Sequence, residues 1–209
     1  MSNRIDFYFD FISPFSYLAH VKLPAIARQY SRELNYHPID IPQAKIAAGN
    51  YGPSNREIAP KIKALAADLQ RWAARYDVPL IFPAGFDCLR WNVGALFARE
   101  RGKATDFVRE GYDRIWGRGI DPADEKELRQ AANAAGLDAD ELSDYTGSSL
   151  GQTEFRKACV EAHRRGVFGA PLIFVDDQIF WGNDRLDFLE EYLSGAGHGE
   201  ADRSPEPIR

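Results

Sequence analysis

Hydrophobic and polar positions change their spacing twice within the first forty residues of the chain. Residues 5–11 begin as an alternation of apolar and polar side chains rich in aromatics, which is typical of a buried strand. Over residues 14–30, apolar side chains recur at the spacing of one helical face, and residues 34–41 have strand character again. We therefore predict a strand, a crossover helix and a second strand, with the two strands parallel.

The middle of the chain has helical periodicity and almost no strand signal. Asp121-Pro122 and Asp138 have the form of helix starts. Predicted helices cover about residues 57–76, 88–101, 104–116, 124–135, 139–146 and 150–165. This run predicts a helical insertion rather than a continuation of the sheet.

Strand character returns near the end of the chain. Residues 172–175 and 179–181 predict a hairpin, followed by a helix over 185–193 that Asn183 or Asp184 would cap. The order βαβ, helical insert, ββα is that of an α/β thioredoxin-like fold interrupted by an all-helical domain. Predicted boundaries are 1–42 and 166–194 for the thioredoxin-like domain, 43–165 for the insertion and 195–209 for a disordered tail.

Composition excludes several classes of function. The chain has 209 residues, 44% of them hydrophobic, and a net charge of -5, so nothing in its charge favours binding to nucleic acid or to an anionic membrane. No apolar stretch is long enough for a signal peptide or a membrane span. Cys88 and Cys159 match no metal or redox spacing and are expected to be free thiols. These features predict a cytoplasmic globular protein without a metal.

Ser13-Pro14-Phe15-Ser16 occupies the turn from the first strand to the first helix. Two small polar residues flanking a proline and one further residue have the layout of a thioredoxin-type Cys-x-x-Cys site, but both cysteines are replaced by serine. Ser13 is also a good helix N-cap, and Pro14 is suited to the first helical position. The two interpretations are compatible, because a hydroxyl at a helix N-terminus lies among free N–H groups that favour an anion.

Gly169-Ala170-Pro171 directly precedes the predicted third strand. In thioredoxin-like proteins a cis-proline at this place faces the active-site turn, and the residue before it offers its backbone to an extended, peptide-like ligand. The alternative is that these three residues only form a turn before the strand. Because Ser13 stands at the corresponding turn of the same predicted fold, we favour the ligand site.

Two further segments carry candidate binding groups. Residues 181–185, Trp-Gly-Asn-Asp-Arg, join a strand to a helix and either cap that helix or grip the charged ends of a small peptide. Lys45 precedes a Gly-, Pro- and Asn-rich loop at 49–56, which is either a capped surface loop or a cluster that binds a carboxylate. Aromatic residues of the insertion serve as core or as walls for an aromatic substrate: Trp72, Phe82, Phe86, Trp91 and Trp116.

Four motifs in this order resemble the 2-hydroxychromene-2-carboxylate isomerase family. They are residues 6–19 (DFYFDFISPFSYLA), 50–56 (NYGPSNR), 68–73 (DLQRWA) and 181–185 (WGNDR). The family belongs with the kappa-class glutathione transferases in the DsbA-like branch of the thioredoxin fold. The resemblance implies glutathione as cofactor, a homodimer, and a small aromatic 2-oxo acid as substrate. It also implies the interconversion of 2-hydroxychromene-2-carboxylate and trans-o-hydroxybenzylidenepyruvate in the degradation of naphthalene-type aromatics.

Carried over to this sequence, the resemblance assigns roles to individual residues. Ser13 matches the catalytic serine that hydrogen-bonds the sulfur of glutathione. The remaining cofactor positions are Ala170, Pro171, Trp181, Gly182, Asn183 and Asp184, the last facing the ammonium of the tripeptide. Substrate positions are Lys45, Asn55, Arg56 and Phe86. Phe86 departs from the family, which can carry a tyrosine near the substrate after a segment like residues 82–84.

Three other functions are alternatives to the isomerase. A kappa-type glutathione transferase that conjugates electrophiles would use the same cofactor site, although the 50–56 loop favours the isomerase. A disulfide oxidoreductase is excluded, because Ser13 and Ser16 cannot cycle through a disulfide. A non-catalytic peptide-binding module would keep Pro171 but would have no use for a basic loop.

Overall fold

The computed structural model describes residues 3–195, except for the side chain of Arg56. All of the predicted tail beyond Gly195 lies outside the described residues. The elements in chain order are β1 (Arg4–Phe9), α1 (Pro14–Gln29), β2 (Glu33–Pro38), α2 (Ile41–Ala47), α3 (Ala59–Tyr76), α4 (Leu89–Glu100), α5 (Ala104–Tyr112), α6 (Glu125–Ala134), α7 (Ala139–Gly147), α8 (Ser149–Arg164), β3 (Leu172–Val175), β4 (Gln178–Trp181) and α9 (Leu186–Ser194). Short 3₁₀ turns cover Asn55–Glu57 and Asn183–Arg185, and a π turn covers Asp113–Gly117.

The four strands form one mixed sheet in the order β2-β1-β3-β4. β1 and β2 are parallel, as the strand–helix–strand pattern predicts, whereas β3 runs antiparallel to β1 and β4 antiparallel to β3. Tyr8 pairs with Leu172, and Leu172 pairs with Trp181. The carboxyl ends of β1, β2 and β4 therefore meet the amino end of β3 at one edge, which we call the site edge.

The helix α2 is an element that the sequence pattern does not predict. Residues 39–41, assigned to the second strand by their apolar character, instead leave the sheet after Pro38. The Asp40 side chain accepts a hydrogen bond from the Gln43 N–H at 3.0 Å and caps the new helix. The predicted strand is therefore too long by three residues at this end.

Beyond the first helix, two predicted helix starts are wrong and one is confirmed. Asp138 caps α7, accepting from the N–H groups of the two residues at 140 and 141. Asp121 does not begin a helix, because α6 is capped by Asp124 through the Lys126 N–H. Asn183 and Asp184 lie in the 3₁₀ turn, and α9 starts after it without a side-chain cap.

The two faces of the sheet are buried by different helices. On one face, Phe7 and Phe9 of β1 pack in a large core with residues of α1, α4 and α5, including Trp91 and Phe107. On the other, Tyr8, Leu172 and Phe174 pack with Ala162 of α8. The predicted helix over 104–116 ends early, at Tyr112, and continues as the π turn. Among residues 3–195, no helix is both long and apolar enough to cross a membrane.

Candidate functional site

Ser13 is the N-cap of α1 and lies at the site edge, directly after β1. Its hydroxyl oxygen accepts a hydrogen bond from the Ser16 N–H at 3.1 Å, and the residue is 6% exposed. Within the described part of the chain, the Ser13 hydroxyl donates to no acceptor. The proton of this hydroxyl is therefore available to a ligand atom at the N-terminus of α1, where the helix dipole favours negative charge.

The Ala170–Pro171 peptide bond is cis, as the sequence predicts. It immediately precedes β3, whose first residue pairs with Tyr8 near the end of β1. The Pro171 carbonyl accepts a hydrogen bond from the Gly182 N–H at 3.1 Å. Ala170 and Pro171 are thus placed at the same edge as Ser13 and are tied to the segment that follows β4.

Residues 181–185 complete the site edge on the side of β4. The Trp181 indole is 60% exposed and makes an edge contact with the Phe168 ring, at 5.0 Å between centroids. Gly182 has φ of +109°, and a Cβ there would collide with the Asp184 carboxylate, so only glycine fits. Asp184 is half-exposed and pairs with Arg185 at 2.7 Å.

The Asn183 side chain is buried at the start of this turn. Its Nδ2 has no hydrogen-bond partner of acceptable geometry among residues 3–195. Burial raises the pKa of the neighbouring Tyr76 hydroxyl, and the Asn183 side chain acts in the opposite direction. A buried amide donor without a partner is costly, so Nδ2 is a natural contact for a ligand acceptor.

The predicted substrate residues lie on the other side of Ser13, after β2. Lys45 is on α2, and its Nζ donates to the carbonyl oxygens of Gly52 and Pro53 at 2.9 and 3.1 Å. Asn55 begins the 3₁₀ turn after this loop, and its Oδ1 accepts from Lys61 at 3.3 Å. Arg56 is in the same turn, with its side chain outside the described residues. Lys45 and Asn55 therefore belong to one local cluster, with Lys45 also holding the loop.

Phe86 is in the segment between α3 and α4 and is 44% exposed. The Tyr17 hydroxyl donates to the Pro79 carbonyl at 2.8 Å, which attaches the start of this segment to α1. Further along, the Ile81 N–H donates to the Trp116 carbonyl at 2.7 Å.

The other candidate aromatic residues divide into core and surface. Trp91 and Trp116 are fully buried, so they belong to the core, and Trp72 is partly buried against Tyr76. Phe82 is 51% exposed and leans on Trp116. Phe82 and Phe86 are therefore the aromatic side chains of this set that remain accessible to a substrate.

Sequence reasoning missed a buried polar pair behind the Ser13 turn. Asn92 of α4 donates to the Asp10 carboxylate at 2.7 Å and accepts from the Phe11 N–H at 3.2 Å. Burial raises the pKa of Asp10 to about 6, although its hydrogen bonds from Asn92, Ile41 and Ile12 favour the ionised form. The available signal was a single acidic residue between two phenylalanines, Phe9 and Phe11, in a strand pattern.

Residues 3–195 contain no group of His, Cys, Asp or Glu side chains that could hold a metal ion. Within residues 3–195, neither Cys88 nor Cys159 forms a disulfide. A cavity of about 450 Å³ lies between α2 and α8, lined among others by Ala44 and Phe155, and includes none of the predicted site residues.

Comparisons with known proteins agree with this architecture. Residues 4–194 match the model of the DSBA-like thioredoxin domain family. The chain is 65% identical to 2-hydroxychromene-2-carboxylate isomerase from Sphingobium xenophagum, over 92% of this chain and 99% of that protein. A solved structure of a 2-hydroxychromene-2-carboxylate isomerase superposes with a TM-score of 0.87 at 38% identity, covering 92% of this chain and 95% of the other. Human glutathione S-transferase kappa 1 is 24% identical over 92% of each chain.

Proposed function

The chain belongs to the DSBA-like thioredoxin family and, within it, to the 2-hydroxychromene-2-carboxylate isomerases, and on this premise we propose its reaction. We propose that it interconverts 2-hydroxychromene-2-carboxylate and trans-o-hydroxybenzylidenepyruvate with glutathione as cofactor. The proposal includes the degradation of naphthalene-type aromatics as the setting, a cytoplasmic location and a homodimer. The uncommitted Ser13 hydroxyl at the N-terminus of α1 is the observation that carries the proposal.

The residues at the site edge fit glutathione. Glutathione is an extended tripeptide with a thiol, two carboxylates and an ammonium group. The orphan Nδ2 of buried Asn183 is a donor suited to a carboxylate, and the half-exposed Asp184 is an acceptor suited to the ammonium. Ala170, before the cis-proline, offers its backbone to the peptide, and the exposed face of Trp181 covers its apolar part.

Ser13 acts on the sulfur in this proposal. Its hydroxyl oxygen already accepts from Ser16, and its own proton is available to be donated to a ligand. Donation of that hydrogen bond, together with the N-terminus of α1, stabilises a thiolate and lowers the pKa of the thiol. Ser13 therefore holds the sulfur as an anion and does not itself attack the substrate.

The reaction requires rotation about a conjugated carbon–carbon double bond of the ring-opened substrate. When bound, glutathione would supply a thiol nucleophile for the conjugated carbon and would not be consumed, and Ser13 would hold its sulfur. Lys45, Asn55 and Arg56 hold the pyruvyl carboxylate of the substrate, and Phe82 and Phe86 bound its aromatic ring. Phe86 offers no hydroxyl to the phenol of the substrate.

The test is a spectrophotometric assay on the full-length protein. Addition of 2-hydroxychromene-2-carboxylate is expected to give a spectral change whose rate rises with glutathione concentration until it saturates. Free thiol is measured in the same samples and is expected to stay constant. Turnover without glutathione, or none with it, contradicts the proposal.

A kappa-class-like transferase that conjugates electrophiles is the second candidate, since a kappa-class transferase is among the relatives. Loss of free thiol with a model electrophile, at a rate above that with the isomerase substrate, would favour it. The homodimer is checked independently by light scattering on the purified protein.

A further inference from the structure

The carboxylate of Asp10 lies between two segments of the site edge. It is buried, with the residue 3% exposed, and three donors reach it. Oδ1 accepts from the Ile12 N–H at 3.1 Å and from Asn92 Nδ2 at 2.7 Å, while Oδ2 accepts from the Ile41 N–H at 3.0 Å. Burial of a carboxylate is costly, and these donors offset the lost hydration.

The two oxygens serve different segments of the chain. Ile12 immediately precedes Ser13, and the Ser13 N–H itself donates to the Asp10 carbonyl at 3.0 Å. Oδ1 and the backbone of Asp10 therefore fix the turn that carries the Ser13 hydroxyl. Oδ2 instead binds Ile41, the first residue of α2, so that a single side chain joins the β1–α1 turn to the β2–α2 turn.

The position of α2 determines the position of the predicted substrate cluster. Lys45 projects from this seven-residue helix and holds the loop through the Gly52 and Pro53 carbonyls. So short a helix has little stability of its own, and its N-terminus depends on the groups that bind it. A shift of α2 relative to Ser13 would move Lys45 and the start of the 50–56 loop with it.

We infer that Asp10 is a positioning residue that sets the distance and angle between Ser13 and the substrate cluster on α2 and the 50–56 loop. The inference rests on the proposed function, because it assigns the sulfur to one side of Asp10 and the substrate carboxylate to the other. Asp10 touches neither ligand. Its contribution is to keep the two halves of the site in the geometry that the reaction needs.

Asp10→Asn separates the two tasks of the carboxylate. The new side chain has nearly the same volume, and its single oxygen can still accept from Ile12 and Asn92. Its amide N–H₂ then faces the Ile41 N–H, a donor against a donor, so the bond to α2 is lost. In the full-length protein, we expect KM for the chromene substrate to rise about tenfold, while Kd for glutathione stays within about twofold of the parent.

Asp40→Asn is the matched control. Asp40 is one residue before Ile41, so the change removes the same charge at the same helix end. Asparagine is as good an N-cap as aspartate and can still accept from Gln43. This variant is expected to keep the parent KM. An equal rise in KM for both variants would mean that charge, not the bond to Ile41, is responsible, and would overturn the inference.

Hydrogen–deuterium exchange on the ligand-free protein gives a readout that does not depend on turnover. Asp10→Asn is expected to raise exchange in residues 41–54 and to leave residues 13–17 protected. Ile41→Pro removes the same hydrogen bond from the donor side, at a first helical position where proline is tolerated, and should reproduce the effect. If Asp10→Asn does not fold, Ile41→Pro still tests the inference.

The outcomes separate the inference from the proposed function. Unchanged exchange in 41–54 and an unchanged KM overturn the positioning role while the isomerase function stands. A uniform loss of stability with parent-like KM also overturns it, because that is the signature of a merely structural residue. Absence of glutathione-dependent turnover in the parent contradicts the proposed function. The exchange data would still show whether Asp10 holds α2 in place relative to the Ser13 turn.

Discussion

The backbone N–H of Ser16 donates to the hydroxyl oxygen of Ser13, at 3.1 Å, and this contact leaves the Ser13 hydroxyl proton available to an acceptor outside the protein. Ser13→Ala is expected to lower stability by about 1 kcal/mol through loss of the cap. It should lower turnover about a hundredfold, because one donor to the developing anion is removed. Ser16→Ala keeps the Ser16 N–H that donates to Ser13 and removes only the Ser16 hydroxyl, to which we assign no role.

The control for a lost cap is Ser148→Ala. Ser148 caps α8 by accepting from the Gly151 N–H at 3.0 Å and is no part of the predicted site; unlike Ser13, its hydroxyl also donates to the Tyr145 carbonyl at 2.8 Å. It should show a similar loss of unfolding free energy in urea with parent-like turnover. If both variants lose activity equally, the effect of Ser13 is structural.

Gly182→Ala is expected to weaken glutathione binding about tenfold or more, because the backbone has φ of +109° and the added Cβ meets the Asp184 carboxylate. Isothermal titration measures the change in Kd. Gly166→Ala is the matched variant, since φ is +91° there but nothing lies within 4 Å of the added Cβ. Equal loss of affinity in both would attribute the effect to backbone strain and would contradict a specific role for residue 182.

Lys45→Met is expected to raise KM for the chromene substrate about tenfold while leaving Kd for glutathione unchanged, because one charged partner of the carboxylate is lost. Lys63→Met, on the exposed surface of α3, removes the same charge elsewhere and should have no effect.

Asp10→Asn combined with Lys45→Met should change KM by less than the product of the single changes, since both act on the same cluster. If the change in KM of the double variant equals the product of the two single changes, Lys45 and Asp10 act independently, which contradicts this prediction.

His20 provides a test of pH dependence. Burial is the main cause that lowers its pKa from 6.5 to about 3, with the charge of Arg109 acting in the same direction. The neutral ring is favoured in the folded state, so its stabilising contribution is complete above pH 6.5 and is lost as pH falls toward 3. At pH 5 the loss is about 2 kcal/mol.

The measurement is urea unfolding of the parent and His20→Phe at pH 5 and pH 7.5. The substitution removes the contact between His20 and the Tyr36 hydroxyl at both pH values, so that cost cancels in the comparison. The parent is expected to lose more stability than the variant on acidification. Asp10 opposes this trend, because burial raises its pKa to about 6 and protonation on acidification then favours the folded state. Only the difference between parent and variant therefore isolates His20.

The amphipathic helices can be predicted from the sequence because their periodicity records burial on one side, and β3 can be predicted because it is a short, continuous apolar run buried on both faces. The cis-proline before β3 and the cap by Asp138 follow from local chemistry. α2 cannot be predicted in this way, since seven residues hold too little periodicity to distinguish a helix from the end of a strand.

Side-chain environment is harder to predict than element type. Asp6 and Asp10 stand in the same alternating pattern, yet their surroundings differ completely. Asp6 pairs with Arg165 at 2.6 Å and with His37 at 3.1 Å, whereas Asp10 is buried among amide donors. The difference depends in part on Asn92 and Arg165, which are 82 and 159 positions away from their partners in the sequence, and a local pattern along the chain cannot record it.

Three side chains of the helical part form hydrogen bonds with the backbone of the turn before Ser13. Asn92 binds the Phe11 N–H, Tyr112 binds the Asp10 carbonyl at 3.1 Å, and Trp116 binds the Phe11 carbonyl at 2.7 Å. For protein engineering, this means that the helical part is not an interchangeable module. Grafting it from another relative to alter the substrate range would also need matching side chains at these three positions, or the turn that presents Ser13 would lose its support.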